Sequence, residues 1–428
     1  MAGLSTTGGG GEERPYLEAA MAAARWLRSV EIASDHGLTW PVAPDDSDRT
    51  AADLYYGSPG VVLFFLEMAR SSGDPGYLVD ARRGADHLLA TLSEELDRQE
   101  TGLYTGIAGL GFVLTEVGRA TAERSYREGA GRCLRWLLGA ARQAGAGVEW
   151  SPLTDIIDGA AGTGLFLLYA ARELEEPESL RLATAAGRRL IELARPAENG
   201  VTWRADPESP SLLPNFSHGT AGVGYLLASL YLETADRSFL EAALSAARQL
   251  TAAAHTASGG CLIPHHLPGG EQLHYLSWCH GPAGTARLFY RLHQATGDSN
   301  WLEWLDRCVR TIAQSGIPER STPGFWNNVG QCCGSAGVAD FLLSLERVQG
   351  ERRHRPLAER LARNILDRAS RTEDGLKWIQ AEHRVKPDLL LAQTGLMQGA
   401  AGIGRLLLRL DAVERGRDRT IPLPDSPF

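Results

Sequence analysis

Three of the six cysteines in this chain share one sequence register. Cys279 and Cys332 each stand two residues before the first glycine of a Gly-x-x-Gly motif, and Cys333 stands one before. Thiolates are soft ligands, and three brought together in a roughly tetrahedral arrangement select zinc; three protein ligands with a fourth position left open is the pattern of a catalytic site. The start of a helix favours the ionised thiol, because the dipole and the free N–H groups stabilise negative charge there. One cysteine near a helix start is ordinarily a packing residue. Three in one register, flanked by Ser277, Gln331 and two histidines, are not explained that way. Cys133 and Cys308 fall inside amphipathic segments and read as core. Cys261, in Cys261-Leu-Ile-Pro-His-His266, lies outside the register and lacks convergent partners there.

Two histidines occupy the position one before the glycine, His218 and His280. An imidazole titrates near neutrality, which suits proton transfer, and a fourth metal position must stay free for substrate. His218 is therefore read as a general acid/base rather than a ligand, with His280 as a second candidate. Asp155 and Asp158 come one repeat earlier and are candidates to orient a histidine or a substrate, or to cap a helix. Spacing alone does not separate these two carboxylates.

The elements that must position these residues follow from an internal repeat. Gly-x-x-Gly opens an apolar run seven times, at Gly57, Gly106, Gly159, Gly219, Gly281, Gly334 and Gly399, with spacings of 49, 53, 60, 62, 53 and 65 residues. Each motif leads into a segment apolar on nearly all sides, such as Val223 to Tyr231, which reads as a helix buried all round. Amphipathic segments precede the motifs, for example Phe239 to Leu250, where Leu240, Ala243, Leu244 and Ala247 follow the i, i+3, i+4, i+7 pattern. Such pairs cannot bury their inner helices alone and must stack side by side. The first and last inner helices are about as apolar as the middle ones, so a closed ring is expected over an open solenoid, which needs polar caps. The sequence thus predicts an all-α fold, an (α/α)7 toroid of seven inner and seven outer helices. Its expected bounds are a flexible tail over 1–15, one toroid over 16–412 and a tail over 413–428. Seven same-sense inner helices gather the register residues at one mouth.

Composition narrows the function. Of 428 residues, 43% are hydrophobic and 22% charged, which supports a large core and excludes a disordered chain. The net charge of −9, with no run of Lys or Arg, leaves no basic surface for nucleic acid. No stretch approaches the roughly 20 apolar residues of a membrane span, and the Gly8 to Gly11 run stands where a signal peptide needs an apolar core. A cytoplasmic location is expected, where sparse but clustered cysteines more often bind metal than form disulfides.

Ser277-Trp-Cys-His-Gly-Pro-Ala-Gly284, Gln331-Cys-Cys-Gly-Ser-Ala-Gly337, Ser217-His-Gly-Thr-Ala-Gly222 and Leu396-Met-Gln-Gly-Ala-Ala-Gly-Ile-Gly404 resemble the lanthionine synthetase C-like family, of the nisin-cyclase type. The likeness spans essentially the whole chain. It implies an α/α toroid with a catalytic Zn2+ that closes thioether rings in ribosomal peptides. On the matching positions, Cys279 and Cys332 are zinc ligands, and Cys333 takes the place of a histidine ligand, similar to a three-cysteine, Cys-Cys-Gly branch. His218 matches the catalytic histidine and Asp155, rather than Asp158, the acidic residue. His280 stands in place of a tyrosine and Tyr275 in place of an arginine.

The implied reaction adds a cysteine thiolate to the β-carbon of dehydroalanine or dehydrobutyrine, with His218 or His280 protonating the α-carbon. The implied partners are a dehydrated precursor peptide and a separate dehydratase or kinase/lyase, because the toroid takes up the whole chain. Alternatives are an enzyme that adds glutathione or another free thiol to dehydrated proteins, and a zinc-stabilised scaffold without turnover. A zinc prenyltransferase would carry mixed Asp, Cys and His ligands, and a glycosidase a carboxylate pair at the mouth.

Overall fold

The computed structural model describes residues 14–320, 325–417 and 420–428. The tail expected over 1–15 thus lies outside the described residues up to position 13. Fifteen α-helices occur among the described residues. The seven outer ones are α1 (Pro15–Ser29), α3 (Pro75–Ala90), α6 (Arg124–Ala140), α8 (Pro177–Glu192), α10 (Arg237–Ala253), α12 (Asn300–Gln314) and α14 (Arg355–Asp367). The seven inner ones are α2 (Ser58–Ser72), α5 (Ile107–Thr121), α7 (Ala160–Glu173), α9 (Thr220–Thr234), α11 (Pro282–Thr296), α13 (Ser335–Gln349) and α15 (Ala400–Glu414). A short α4 (Leu92–Asp97) continues the second outer helix after a break at Thr91.

Each inner helix packs against the outer helix that follows it, and α1 packs against α15. The first outer helix thus pairs with the last inner one and closes the ring. The tight turns between partners come from left-handed residues after the inner helices: Gly73, Ala122, Ala235, Gly297 and Gly350 all have φ between 57° and 75°.

A closed cycle of backbone hydrogen bonds at the helix N-termini carries the argument for the ring. Tyr55 N donates to Tyr104 O, Tyr104 N to Ile157 O, Ile156 N to Ser217 O, Ser217 N to Cys279 O, Cys279 N to Cys332 O, Cys332 N to Met397 O, and Met397 N back to Tyr55 O, at 2.9–3.1 Å. These are the residues two before each glycine, with a one-residue step at Ile156. The motif glycines let the loops come this close: a Cβ on Gly219 would stand 1.5 Å from Leu213 O, and one on Gly222 2.2 Å from Phe216 O.

Short hairpins, which the helical periodicity does not announce, follow four outer helices, over 32–39, 142–149, 195–202 and 370–377. A tryptophan just past each one, Trp40, Trp150, Trp203 and Trp378, donates its indole N–H to a carbonyl near the end of the outer helix, at 2.6–2.9 Å. Those carbonyls would otherwise lack a partner within the helix. The last helix runs to Glu414, and residues 420–428 pack back into the barrel, with Ile421 and Asp425 buried. No helix among the described residues is long and apolar enough to cross a membrane.

Candidate metal centre and active site

The cycle of hydrogen bonds fixes the backbone of Cys279 and Cys332 directly, and Ser277 Oγ adds a bond to Cys332 O at 2.7 Å. Their side chains converge with that of Cys333: Cys333 Sγ lies 3.4 Å from Cys279 Sγ and 3.4 Å from Cys332 Sγ. All three sulfurs fall within 4.8 Å of one another. A tetrahedral zinc ion bonded at about 2.3 Å would hold sulfurs about 3.8 Å apart. Two of the three sulfur–sulfur spacings are within a few tenths of an ångström of that value, and an all-sulfur donor set suits a soft divalent ion.

Burial pushes the Cys279 and Cys332 thiols well above their ordinary value. Cys333 goes the other way, because its sulfur hydrogen-bonds both neighbouring thiols and accepts from Gln398 Nε2 at 3.6 Å. The cluster therefore concentrates negative charge on the most accessible of the three. Gln398, one residue before the seventh motif, also donates to the Tyr55 hydroxyl at 3.2 Å and accepts from Asn328 Nδ2 at 3.0 Å.

A second cluster gathers Asp155, Asp158 and His218. His218 Nδ1 shares a short hydrogen bond with Asp155 Oδ2, while Asp155 Oδ1 accepts from the Asp158 amide at 2.8 Å. Asp158 instead accepts from the Thr105 hydroxyl. Burial opposes charge on His218, but the charge and hydrogen bond of Asp155, with Asp158 and Cys333 behind them, outweigh it and raise its pKa above the ordinary value. Asp158 is raised by burial and by the charge of Asp155.

His280 lies beside His218, with ring centroids 5.8 Å apart, and its Nδ1 has no hydrogen-bond partner among the described residues. Burial, with His265, His218 and His266 around it, holds its pKa well below the ordinary value. His218 and His280, equivalent in sequence register, are thus driven in opposite directions. His265 stacks 4.0 Å from His280 and is pushed down to about 4 by burial and by His266. Sequence reasoning missed this approach; the only signal was the His265-His266 pair in the loop set aside with Cys261. Tyr275 stands edge-on to His280 at 5.5 Å; burial raises the pKa of its hydroxyl, partly offset by the charge of Arg384 from the hairpin over 379–392. Cys133, Cys261 and Cys308 are buried away from the triad, the first and last inside α6 and α12.

Among solved structures, nisin cyclase matches with a TM-score of 0.65 at 16% identity, over 95% of this chain and 96% of that one. An α-mannanase from Bacteroides thetaiotaomicron matches at a TM-score of 0.49 and 11% identity, over 94% and 96% of the chains. Cellobiose 2-epimerase from Bacillus thermoamylovorans follows at 0.46 and 13%, over 72% and 90%. At these identities the likeness to nisin cyclase speaks for the fold. No curated protein matches the sequence. The family described as lanthionine synthetase C-like protein matches residues 48–421, most of the toroid and every residue of both clusters, and the chain belongs to that family.

Proposed function

We propose that this protein is a zinc-dependent peptide cyclase that joins cysteine thiols to dehydroalanine or dehydrobutyrine residues of one ribosomal peptide, forming lanthionine and methyllanthionine. The observation that carries the reading is the pairing, at one mouth of the toroid, of a three-thiol cluster with a carboxylate-backed histidine of raised pKa. Cys279, Cys332 and Cys333 would hold the ion. Zinc bound there supplies an open position at which a substrate thiol loses its proton near neutral pH.

The protein's own residues perform the rest. When the sulfur adds to the β-carbon, the electron pair of the carbon–carbon double bond moves toward the carbonyl and leaves an enolate. His218, charged and held by Asp155, gives its proton to the α-carbon, which completes the addition with no atom lost. Asp155 keeps Nδ1 engaged, so Nε2 is the nitrogen left to face substrate. His280, kept neutral by its surroundings, is a weak proton donor and serves better as a wall of the site.

The substrate arrives already dehydrated, and a separate dehydratase or kinase/lyase would supply it. A cytoplasmic location fits that supply. The test is incubation with a dehydrated precursor peptide, with and without glutathione. Cyclisation removes free thiols without changing the peptide mass, whereas addition of glutathione raises the mass, and a scaffold leaves both unchanged.

A further inference from the structure

Residues 420–428 lie between α11 and α13, the two inner helices whose N-terminal loops carry the three thiols. These helices scarcely touch each other, whereas α9 and α11 pack along much of their length. The segment takes the space between them. The Phe428 ring sits 5.0 Å from Tyr290 on α11 and 5.8 Å from Phe341 on α13. Arg287 of α11 donates to Asp425 O at 3.1 Å, and Arg347 of α13 donates to the Phe428 main-chain oxygen. At its other end, Ile421 is fastened to the ring's closing helices: its N–H donates to Glu67 of α2 at 2.8 Å, and its carbonyl accepts from Arg405 of α15 at 2.8 Å.

The segment also reaches the metal loop. Trp278, the chain neighbour of Cys279, donates its indole N–H to Asp425 Oδ2 at 2.7 Å. Asp425 is fully buried, with Arg287 as its counter-charge at 3.6 Å. The Trp278 ring is wedged against Tyr104 at 4.9 Å and Phe216 at 5.8 Å, so its freedom is small and the position of Asp425 is passed on to the loop. Close-packed interiors transmit such displacements, and a joint with few direct contacts is where a helix pair loosens first.

We propose that residues 420–428 are a wedge that sets the separation of α11 and α13 and so holds Cys279 at ligating distance from Cys332 and Cys333, with Asp425 and Trp278 as positioning residues. The proposal rests on the reading of the three thiols as one ligand set. It assigns a role in the metal site to a segment that contributes none of the three thiols.

Three variants test it: Asp425→Asn, which keeps an acceptor for Trp278 but removes the charge opposite Arg287; Trp278→Phe, which removes the indole donor; and a chain lacking 420–428. Zinc affinity is read by competition with a chromogenic chelator. The metal-free protein is titrated separately with arsenite, which condenses with three thiols, releases three waters, and reads their spacing whatever the native metal is. Leu134→Ala, in the buried core of α6, is the control for general destabilisation. We expect zinc affinity to fall about 10- to 100-fold in the wedge variants, as for other residues that orient ligands, with arsenite uptake weakened in parallel and the control unchanged in both. Wedge variants that melt earlier, as the control does, yet bind zinc and arsenite as the wild type does overturn the proposal. If the shortened chain does not fold, the two point variants decide. A wild type that takes up neither zinc nor arsenite sinks the ligand-set reading and the wedge with it.

Discussion

Replacing Asp155 by asparagine separates the charge of the carboxylate from its shape. The side-chain oxygen that accepts from the Asp158 amide at 2.8 Å can remain, but the group facing His218 Nδ1 becomes an NH2, a donor where an acceptor stood. His218 must then accept at Nδ1 and stay neutral, because the counter-charge that raised its pKa is gone. A neutral imidazole N–H is a far weaker acid than an imidazolium. Turnover should fall by about 10²- to 10⁴-fold, the usual contribution of a positioned proton donor, equivalent to roughly 2.7 to 5.5 kcal/mol in the barrier. The assay is single-turnover loss of free thiols from a dehydrated peptide, with zinc content measured alongside and expected unchanged. Because the pair acts as a unit, the double variant with His218→Ala should be no slower than His218→Ala alone. Activity that depends on charged His218 declines as pH rises through its raised pKa, and in the variant that decline should begin at lower pH. A raised folded-state pKa contributes stability that is complete below the ordinary histidine value and is lost as pH rises through the folded value. The melting difference between wild type and variant should therefore narrow as pH rises. A variant with normal zinc and near-normal turnover would refute the assignment of Asp155 and His218.

Cys333→His should keep the metal and part of the activity, since imidazole is also a good zinc ligand. The swap removes one negative charge from the ligand set, acidifying a bound substrate thiol while making it less nucleophilic, so the variant should compare best with wild type at low pH. A variant slower by the same factor at every pH would mean that the third cysteine acts through geometry alone. Gly219→Ala, whose Cβ would stand 1.5 Å from Leu213 O, should cost on the order of 3 kcal/mol or more in urea unfolding. Gly73→Ala, in open space but at φ of 75°, should cost only about 1 kcal/mol; equal costs would contradict the close-approach account.

The Gly-x-x-Gly spacing made the toroid legible, because a motif that recurs on seven helices of one sense must gather its neighbours at one rim. The same register put Cys279, Cys332, Cys333, His218 and His280 in one neighbourhood. It could not tell the two histidines apart, since their opposite environments come from other loops: Asp155 reaches His218 from one repeat, while His265 reaches His280 from a loop outside the register. The position of Asp158, on Thr105, was equally a matter of loop geometry. The hairpins escaped because they are short elements between helices, marked only by Gly or Asn-Gly turns and a following tryptophan. Residues 420–428 read as tail because Asp425 and Trp278 are 147 positions apart, and nothing local in Leu423-Pro-Asp-Ser-Pro-Phe428 signals burial.

The central claim is that the three-thiol mouth forms carbon–sulfur bonds within one peptide. The most direct measurement takes zinc-loaded protein and a dehydrated precursor peptide, and follows free thiols and peptide mass together, in wild type and in the variant with Cys279, Cys332 and Cys333 all changed to Ala. Wild type should consume the peptide's thiols at constant mass, and the variant should have lost both its zinc and that activity. Thiols that persist with wild type, or a triple variant that retains stoichiometric zinc or cyclises the peptide, would contradict it.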